Sequence, residues 1–215
     1  MYSKYPFKNI YILCGYKSDL IFKNFHNKNF NFCKIKCIKE KKLLGTGGAL
    51  SNLKKYKISD FVLTNGDTIF DINLSDFIKS NKSNKLGSIA LTHNKNKMST
   101  KLNQLSLNKS NIIIKKRSNL MNGGIYYFKR KILDYIPNTN FSLENDLLPK
   151  LIKKKKMIGK VYNNFFLDIG SPKYLKVTER LLNKIFKKPA VFLDRDGVIN
   201  YDYGYVFKLN DFIFR

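Results

Sequence analysis

The sequence predicts an α/β fold, and three observations support this prediction. Short apolar runs alternate with amphipathic stretches along the chain, as in proteins that pack helices on a sheet. Several apolar runs end in turn residues, for example at Asn65-Gly66-Asp67. The chain has 215 residues, of which 43% are hydrophobic, so it is long enough for one core and part of a second domain.

The strands are predicted from apolar runs and from alternation. Asn9–Leu13 and Phe61–Thr64 are continuous apolar runs, typical of buried strands, whereas Lys34–Ile38 alternates with a period of two. Further strands are expected at Ser88–Thr92, Gln104–Leu107, Ile112–Lys115, Ile125–Phe128, Ile158–Tyr162 and Phe165–Asp168. We expect the sequence Asn122-Gly123-Gly124 to form the entry into the strand that follows it.

The helices are predicted from amphipathic stretches and from their capping residues. We expect helices at Ser18–Phe25, from Gly45 to about Tyr56, after Ser142 as N-cap, and from Pro172 to about Phe186. Lys187-Lys188-Pro189 then marks a boundary, followed by a new strand at Ala190–Leu193. The sequence therefore predicts one domain over residues 1–186 and the beginning of a second over residues 189–215.

The formal net charge of +26 has two interpretations. Lys and Arg neutralise phosphates, so the charge could indicate nucleic-acid binding. Alternatively, it reflects composition, because Lys, Asn, Ile and Phe are all abundant, as expected from an AT-rich genome, and the lysines are spread along the chain. We favour the second interpretation and do not expect a nucleic-acid partner. The charge would still attract anionic substrates.

Composition also bears on the compartment. No apolar run approaches the roughly 20 residues needed to span a bilayer, and the first residues lack a signal-peptide pattern. The three cysteines, Cys14, Cys33 and Cys37, are an odd number without Cys-x-x-Cys spacing, which fits reduced thiols. We therefore expect a cytoplasmic protein with no membrane partner.

Two aspartates at predicted strand ends are candidate ligands of Mg²⁺. Asp67 follows the strand at residues 61–64, and Asp168 ends a later apolar run. Ligands of open α/β sheets bind beyond the carboxyl ends of strands, and Mg²⁺ prefers one or two carboxylates together with phosphate oxygens and water. Each motif also has a structural interpretation: Gly66-Asp67 is a common turn, and Ser171-Pro172 after Asp168 is a helix start.

A glycine cluster, Gly45-Thr46-Gly47-Gly48, opens a predicted helix. Glycines at this position let backbone N–H groups approach a ligand closely. The cluster fits neither a Walker A loop, because no Gly-Lys-Ser/Thr follows, nor the dinucleotide-binding fingerprint. By itself it does not define a site.

The order of the motifs is more specific than any one of them. Over residues 8–183 the chain resembles the sugar-phosphate nucleotidyltransferase family, and within it the heptose 1-phosphate and mannose-1-phosphate guanylyltransferases. The resemblance is carried by five motifs in sequence: Gly-Thr-Gly-Gly-Ala (45–49), Asn-Gly-Asp (65–67), Asn-Gly-Gly-Ile-Tyr (122–126), Phe-Ser-Leu-Glu-Asn-Asp (141–146) and Asp-Ile-Gly-Ser-Pro (168–172). It implies a Rossmann-like, glycosyltransferase-A-like three-layer sandwich.

The resemblance also implies roles for individual residues. Nucleotide contacts are expected from Gly45, Thr46, Gly47, Gly48, Asn65 and Gly66. Contacts with the sugar phosphate are expected from Asn122, Gly124 and Glu144, and from Lys115 or Lys116, between which the spacing does not decide. Asp67 and Asp168 would hold the catalytic Mg²⁺. In the family reaction, an oxygen of the sugar 1-phosphate attacks the α-phosphorus of a nucleoside triphosphate, of which GTP is favoured here, and pyrophosphate leaves.

The chain departs from the family pattern at its start. The family begins with a strand, a Gly-Gly-x-Gly-Thr-Arg loop that binds the triphosphate, and a Lys-Pro motif, whereas this chain starts at what resembles the second strand. We expect an incomplete domain that lacks the first strand and has weakened triphosphate binding.

A second resemblance covers residues 189–215. Apolar residues followed by Asp194-Arg195-Asp196-Gly197 resemble the first motif of the haloacid-dehalogenase-like phosphatases, in the heptose-bisphosphate and histidinol-phosphate branch. This resemblance implies that Asp194 is the nucleophile and Asp196 the general acid and base, both beside Mg²⁺. The later motifs of such a site have no room here, so we expect no phosphatase activity.

Three functions are compatible with these observations. The favoured one is a sugar-1-phosphate nucleotidyltransferase from a bifunctional heptose-activation protein. The second is a heptose 1,7-bisphosphate 7-phosphatase, and the third is a non-catalytic protein that binds a sugar phosphate or nucleic acid.

Overall fold

The strands predicted up to Asp168 are present; the one at Phe61–Thr64 has the predicted bounds, and each of the others has at least one shifted end. The structure is a computed structural model that describes residues 5–31, 33–81, 84–93, 105–114, 118–170, 178, 181, 198–201, 203–204 and 208–214. Its strands are β1 (Asn9–Cys14), β2 (Asn29–Phe30), β3 (Cys33–Lys39), β4 (Phe61–Thr64), β5 (Thr68–Phe70), β6 (Gly87–His93), β7 (Leu105–Asn108), β8 (Asn111–Ile114), β9 (Leu120–Phe128), β10 (Met157–Val161) and β11 (Phe166–Asp168).

The helical segments are short. The α-helices are α1 (Ser18–Phe25), α2 (Gly45–Gly48), α3 (Leu74–Lys79) and α4 (Leu148–Lys153); 3-10 turns cover Ala49–Lys55, Arg130–Tyr135 and Leu209–Asp211, and a π-helical turn covers Leu143–Leu147. Ser142 is the N-cap of this turn, as predicted: its side chain accepts a hydrogen bond from the Asn145 N–H at 3.1 Å. None of the helices in the described part of the chain is long and apolar enough to cross a membrane.

The chain divides into two compact units, residues 1–170 and 171–215. In the second unit, Asn200 and Phe214 form an isolated antiparallel bridge. Thr178 and Leu181 are helical, as expected for the helix predicted after Pro172. The boundary predicted at residues 187–189 and the strand predicted at 190–193 lie outside the described residues, so the division into domains 1–186 and 189–215 stays a prediction.

The strands of the first unit form three sheets. The first has the order β1-β3-β2, with β1 and β3 parallel. The second has six strands in the order β4-β9-β6-β10-β8-β7, and the third is the antiparallel pair β5 and β11. The three cysteines are buried and unpaired. This mixed α/β arrangement agrees with the predicted class.

Apolar side chains cover both faces of the six-stranded sheet. Along β6, Ile89 and Leu91 belong to the larger apolar cluster, which includes the helical segments from 49–55 and 147–152, whereas Ala90 between them belongs to a second cluster with Phe70 and Phe77. Successive side chains of a strand point to opposite faces. The sheet is therefore the middle of three layers, as the resemblance implied.

β2, β5 and α3 were not predicted from the sequence, and two of the predicted elements differ from the structure. Asn122-Gly123-Gly124 does not precede its strand but lies inside β9, where the pairing with β6 shifts register between Ile89 and Leu91. An irregularity of this kind accommodates a glycine at positive φ, as Gly124 has with φ +70°. The predicted helix after Gly45 is one α-turn, followed by a 3-10 segment at residues 49–55.

The packing of Phe70 against this part of β9 can be tested by substitution of Gly123. A Cβ added to it would lie 2.4 and 2.6 Å from two carbons of the fully buried Phe70 ring. Overpacking of this kind costs about 1–3 kcal/mol, so Gly123→Ala should lower the midpoint of urea unfolding. Gly66→Ala is the matched control, since no atom lies within 4 Å of its added Cβ, and it should leave the midpoint almost unchanged. Equal midpoints for the two variants would contradict this packing.

Asp76 makes the stability of the chain depend on pH. Its carboxylate accepts hydrogen bonds from Lys160 Nζ at 2.6 Å and Tyr162 Oη at 2.8 Å, and these bonds, that of Lys160 first, lower the pKa of Asp76. A carboxyl group whose pKa is lower in the folded than in the unfolded state stabilises the fold at pH values above its unfolded-state pKa. This stabilisation is lost as the pH falls through the folded-state pKa. Asp76→Asn should therefore lower Tm at pH 7, with the difference from wild type shrinking below about pH 4.

The matched control for Asp76→Asn is Asp19→Asn. Asp19 pairs with Lys39 but is exposed, with 88% of its side-chain surface accessible. Exposed pairs of this kind contribute little, so this variant should leave Tm nearly unchanged at both pH values. Identical pH dependence of the two variants in thermal melts would contradict the role given to Asp76.

Candidate active site

The pairing of β5 with β11 brings the two predicted aspartates together. Thr68, which follows Asp67, is the register partner of Asp168. Beyond this pair, the Ile169 N–H donates to the backbone carbonyl of Asp67 at 2.8 Å. Asp67 and Asp168 thus lie side by side at one end of a short ladder, although they are far apart in sequence.

Gly170 shows how close the two carboxylates are. A Cβ added to Gly170 would lie 2.8 Å from Asp67 Oδ2 and 3.1 Å from Asp168 Oδ1. The Gly170 N–H also donates to Asp168 Oδ1 at 2.9 Å, which fixes that carboxylate. Because glycine has no side chain, both oxygens border the same small space.

This space has the properties of a cation site. Both carboxylates are exposed, and neither forms an ion pair with a Lys or Arg in the described part of the chain. Over the same part, no group of three or more His, Cys, Asp or Glu side chains could hold a metal. Two carboxylates open to solvent suit Mg²⁺, which completes its shell with water and phosphate oxygens.

The loop at Asn65–Asp67 also contacts the glycines of β9. The Asn65 N–H donates to the Gly124 carbonyl at 2.9 Å. A Cβ on Gly124 would lie 3.1 Å from both Asn65 Nδ2 and Thr68 Oγ1, and its positive φ also requires glycine. Gly66 is exposed and has open space around it. The Asn-Gly-Asp and Asn-Gly-Gly motifs therefore meet at the same place.

A chain of hydrogen bonds extends from Asn122 to the glycine cluster at residues 45–48. Asn122 Oδ1 accepts from the Gly124 N–H at 3.0 Å, and its Nδ2 donates to Tyr126 Oη at 2.6 Å. Tyr126 Oη lies 3.4 Å from Glu144 Oε1, and Thr46 Oγ1 lies 2.7 Å from Glu144 Oε2. The described residues of the five motifs, which end at Gly170, thus form one continuous cluster.

The glycine cluster at residues 45–48 has a buried half and an exposed half. Gly47 and Gly48 are buried, and both of their N–H groups donate to the Phe141 carbonyl at 2.9 Å. Gly45 and Thr46 are exposed. Contact between these residues and a nucleotide stays a prediction, and the exposed half is the part that a ligand can reach without displacing the Phe141 bonds.

Some predicted residues lie outside the described part of the chain, and some residues of the cluster were not predicted. Lys115, Lys116, Asp194 and Asp196 are in the first group, so their roles stay predictions. Tyr126 and Gly170 are in the second group. Tyr126 belongs to an apolar strand, where an aromatic residue is expected in the core, and Gly170 lies in the motif at residues 168–172 without a predicted role of its own.

A cavity of about 420 Å³ lies next to the Phe141 end of this cluster. It is bordered by residues 134–137 and by Phe141, Leu147, Lys150, Leu151 and Lys154. None of the predicted site residues lines it, so its volume gives no support to the candidate site. The clustered polar groups, rather than the depth of a pocket, define the site.

Residues 3–184 match the family model described as nucleotidyl transferase. This match ends before Asp194-Arg195-Asp196-Gly197, so the phosphatase resemblance of residues 189–215 stays a prediction.

Several characterised proteins are similar in sequence. The chain is 32% identical over 190 residues to a bifunctional protein GlmU of Methanocaldococcus jannaschii, covering 82% of this chain and 44% of that protein. It is 31% identical over 176 residues to a D-glycero-alpha-D-manno-heptose 1-phosphate guanylyltransferase of Campylobacter jejuni, covering 79% and 76%. The chain therefore spans less than half the length of the GlmU relative and about three quarters of the guanylyltransferase.

Solved structures share the fold. The crystal structure of HddC from Yersinia pseudotuberculosis complexed with GMP-PN aligns with a TM-score of 0.62 at 29% identity, covering 81% of this chain and 79% of that one. The inositol-1-phosphate CTP transferase from T. maritima aligns with a TM-score of 0.64 at 20% identity, covering 86% and 79%. The second likeness concerns the fold alone.

Gly170 provides a test of the paired carboxylates. An Ala side chain at this position would displace the ends of the flexible Asp67 and Asp168 side chains rather than the backbone, so the fold should stay intact. The affinity of the chain for Mn²⁺, used as a paramagnetic substitute for Mg²⁺, should fall about tenfold, as it does when the supports of metal ligands are lost. Proton relaxation measures this affinity.

Gly66→Ala is again the matched control, because it adds the same methyl group next to Asp67 in open space. It should bind Mn²⁺ as wild type does. Unchanged Mn²⁺ affinity in Gly170→Ala, in a chain that does bind the ion, would show that the two carboxylates do not share a cation.

Proposed function

The chain belongs to the nucleotidyl transferase family, and we propose that it is a sugar-1-phosphate nucleotidyltransferase. The reaction joins a nucleoside triphosphate to a sugar 1-phosphate and releases pyrophosphate. The observation that carries this proposal is the convergence of Asp67 and Asp168 with the polar cluster of Asn122, Gly124 and Glu144. Paired carboxylates next to hydrogen-bonding groups suit a substrate that has phosphates at one end and hydroxyls at the other.

The proposed role of the two aspartates is to hold Mg²⁺. When bound there, Mg²⁺ would neutralise the negative charge of the reacting phosphates. The bond from the Ile169 N–H fixes the backbone of Asp67, and the bond from the Gly170 N–H orients the carboxylate of Asp168 before a ligand arrives. The reaction needs no nucleophile from the protein, and the contribution of these residues is positioning and charge balance.

The proposed sugar-binding groups are those of β9 and the turn after Ser142. Glu144 is partly exposed, and its two oxygens can accept further hydrogen bonds, such as those from sugar hydroxyls. Gly124 is buried and its carbonyl is already bonded to the Asn65 N–H, so its proposed contribution is to leave room for the side chains of Asn65 and Thr68. We propose Lys115 or Lys116 as the partner of the sugar phosphate, on the sequence resemblance alone.

The proposed nucleotide-binding groups are those of the glycine cluster at residues 45–48 and of the loop at Asn65–Asp67. Gly45, Thr46, Asn65 and Gly66 are exposed, which lets a base or ribose approach their backbone. Gly47 and Gly48 would support this surface through their bonds to Phe141.

We further propose that the nucleotide is GTP and that the sugar is a heptose or mannose 1-phosphate. The support is the similarity to the heptose 1-phosphate guanylyltransferase of Campylobacter jejuni and, at 29% identity, to a probable mannose-1-phosphate guanylyltransferase of Arabidopsis thaliana. The structure of HddC in complex with GMP-PN adds support for the guanine base.

Calorimetric titration and pyrophosphate release test this function. Wild-type protein is titrated with mannose 1-phosphate, D-glycero-D-manno-heptose 1-phosphate and GTP, each with and without Mg²⁺. GTP binding should depend on Mg²⁺ and should weaken at least tenfold in Asp67→Asn, as expected when a charged metal ligand is removed. CTP, UTP and dTTP should bind and react less well than GTP.

The matched control is Asp60→Asn, at the opposite end of β4. Asp60 bonds to Tyr127 Oη and to the Arg130 N–H, away from the cluster, so this variant should bind as wild type does. Binding without pyrophosphate release would support the non-catalytic alternative. A folded wild-type chain that binds none of these ligands would reject the proposed function.

A further inference from the structure

The hydrogen bonds around Glu144 have a defined direction. Asn122 Oδ1 accepts from the Gly124 N–H, so the Nδ2 group faces Tyr126 and donates to its hydroxyl oxygen at 2.6 Å. The proton of the Tyr126 hydroxyl then has one described acceptor within reach, Glu144 Oε1 at 3.4 Å. The chain of donors that begins at Gly124 therefore ends at the carboxylate of Glu144.

Two other hydroxyls bond to the second oxygen of the same carboxylate. Thr46 Oγ1 accepts from the Leu143 N–H at 3.0 Å and donates to Glu144 Oε2 at 2.7 Å. Ser142 Oγ donates to the same oxygen at 3.5 Å. Both oxygens of Glu144 thus accept hydrogen bonds, as an ionised carboxylate does. No Lys or Arg in the described residues forms an ion pair with it. Its orientation therefore depends on neutral donors.

The Tyr126 hydroxyl remains a donor at all ordinary pH values. Burial, and next the nearby charge of Glu144, raise the pKa of Tyr126 far above its usual value. The residue is 0% exposed and its ring stacks on Phe128, so it cannot touch a ligand itself. A Phe would fill the same space without a polar group to satisfy, so packing alone does not explain the hydroxyl.

We propose that Tyr126 is a positioning residue for the sugar-binding carboxylate. Its hydroxyl orients Glu144 so that the remaining lone pairs of the carboxylate accept hydrogen bonds from hydroxyl groups of the sugar phosphate. This inference rests on the proposed function and adds to it a residue that acts through Glu144. If this inference holds, a buried residue of β9 affects the affinity for the sugar phosphate without affecting the affinity for the nucleotide.

The test compares Tyr126→Phe with Tyr127→Phe. The Tyr127 hydroxyl also bonds to a carboxylate, Asp60, at 3.0 Å, but on the opposite face of the same strand. Tyr126→Phe should weaken binding of mannose 1-phosphate and raise its KM about 5- to 20-fold, the effect of one hydrogen bond. Its affinity for GTP should change less than about twofold, and Tyr127→Phe should change neither.

A double-mutant cycle with Glu144→Ala separates positioning from a general structural effect. If Tyr126 acts through Glu144, adding Tyr126→Phe to Glu144→Ala should not weaken mannose 1-phosphate binding further. Additive losses, or equal losses for mannose 1-phosphate and GTP in Tyr126→Phe, would overturn the proposal.

The outcomes also separate this inference from the proposed function. A wild-type chain that binds neither mannose 1-phosphate nor GTP rejects the proposed function and the role of Tyr126 with it. A wild-type chain that binds both, with Tyr126→Phe binding mannose 1-phosphate equally well, rejects the role of Tyr126 alone.

Discussion

The candidate site depends on one short antiparallel ladder, the pairing of β5 with β11. The ladder has three residue pairs, and its last pair, Thr68 with Asp168, sets the position of both carboxylates. Phe70 of β5 is buried, and its register partner Phe166 of β11 packs against the same apolar cluster, so the ladder is anchored in the apolar layer beside the six-stranded sheet. A shift of one residue in this register would turn Asp168 to the other face and separate it from Asp67.

Holding two carboxylates together costs energy, and the structure keeps this cost small. Two unit charges 4 Å apart interact by about 1 kcal/mol in water and about 4 kcal/mol near a protein surface. Asp67 and Asp168 are exposed, so the repulsion lies toward the lower value. Full burial of a side chain such as Phe70 contributes about 1.5–3 kcal/mol, which is enough to offset it. The fold therefore tolerates the pair although no Lys or Arg of the described residues forms an ion pair with it, which is compatible with the proposed Mg²⁺.

The sequence was sufficient to predict the strands that precede Asp67 and contain Asp168, but not all of the residues around them. Asp67 and Asp168 were predicted to meet because each follows an apolar run, and the structure places them together. β5 was missed because it has three residues, too few for a periodic pattern. The role of Tyr126 was missed because a buried tyrosine in an apolar strand looks like core, and its partner Glu144 is distant along the chain. The roles of glycines are also hard to predict from sequence. Gly47 and Gly123 allow close packing, whereas Gly170 leaves space for two carboxylates, and the residue type alone does not distinguish these roles.

The sign of the charge at the site is opposite to that of the whole chain. With 41 Lys and Arg against 15 Asp and Glu, the chain attracts anions from a distance. At close range Asp67, Asp168 and Glu144 are negative and form no ion pair with a Lys or Arg among the described residues. A phosphate would be repelled there unless a cation lay between it and the aspartates. The proposed Mg²⁺ therefore explains how a basic chain can bind phosphates at an acidic site. A cation held by the two aspartates would attract a phosphate that the aspartates alone would repel.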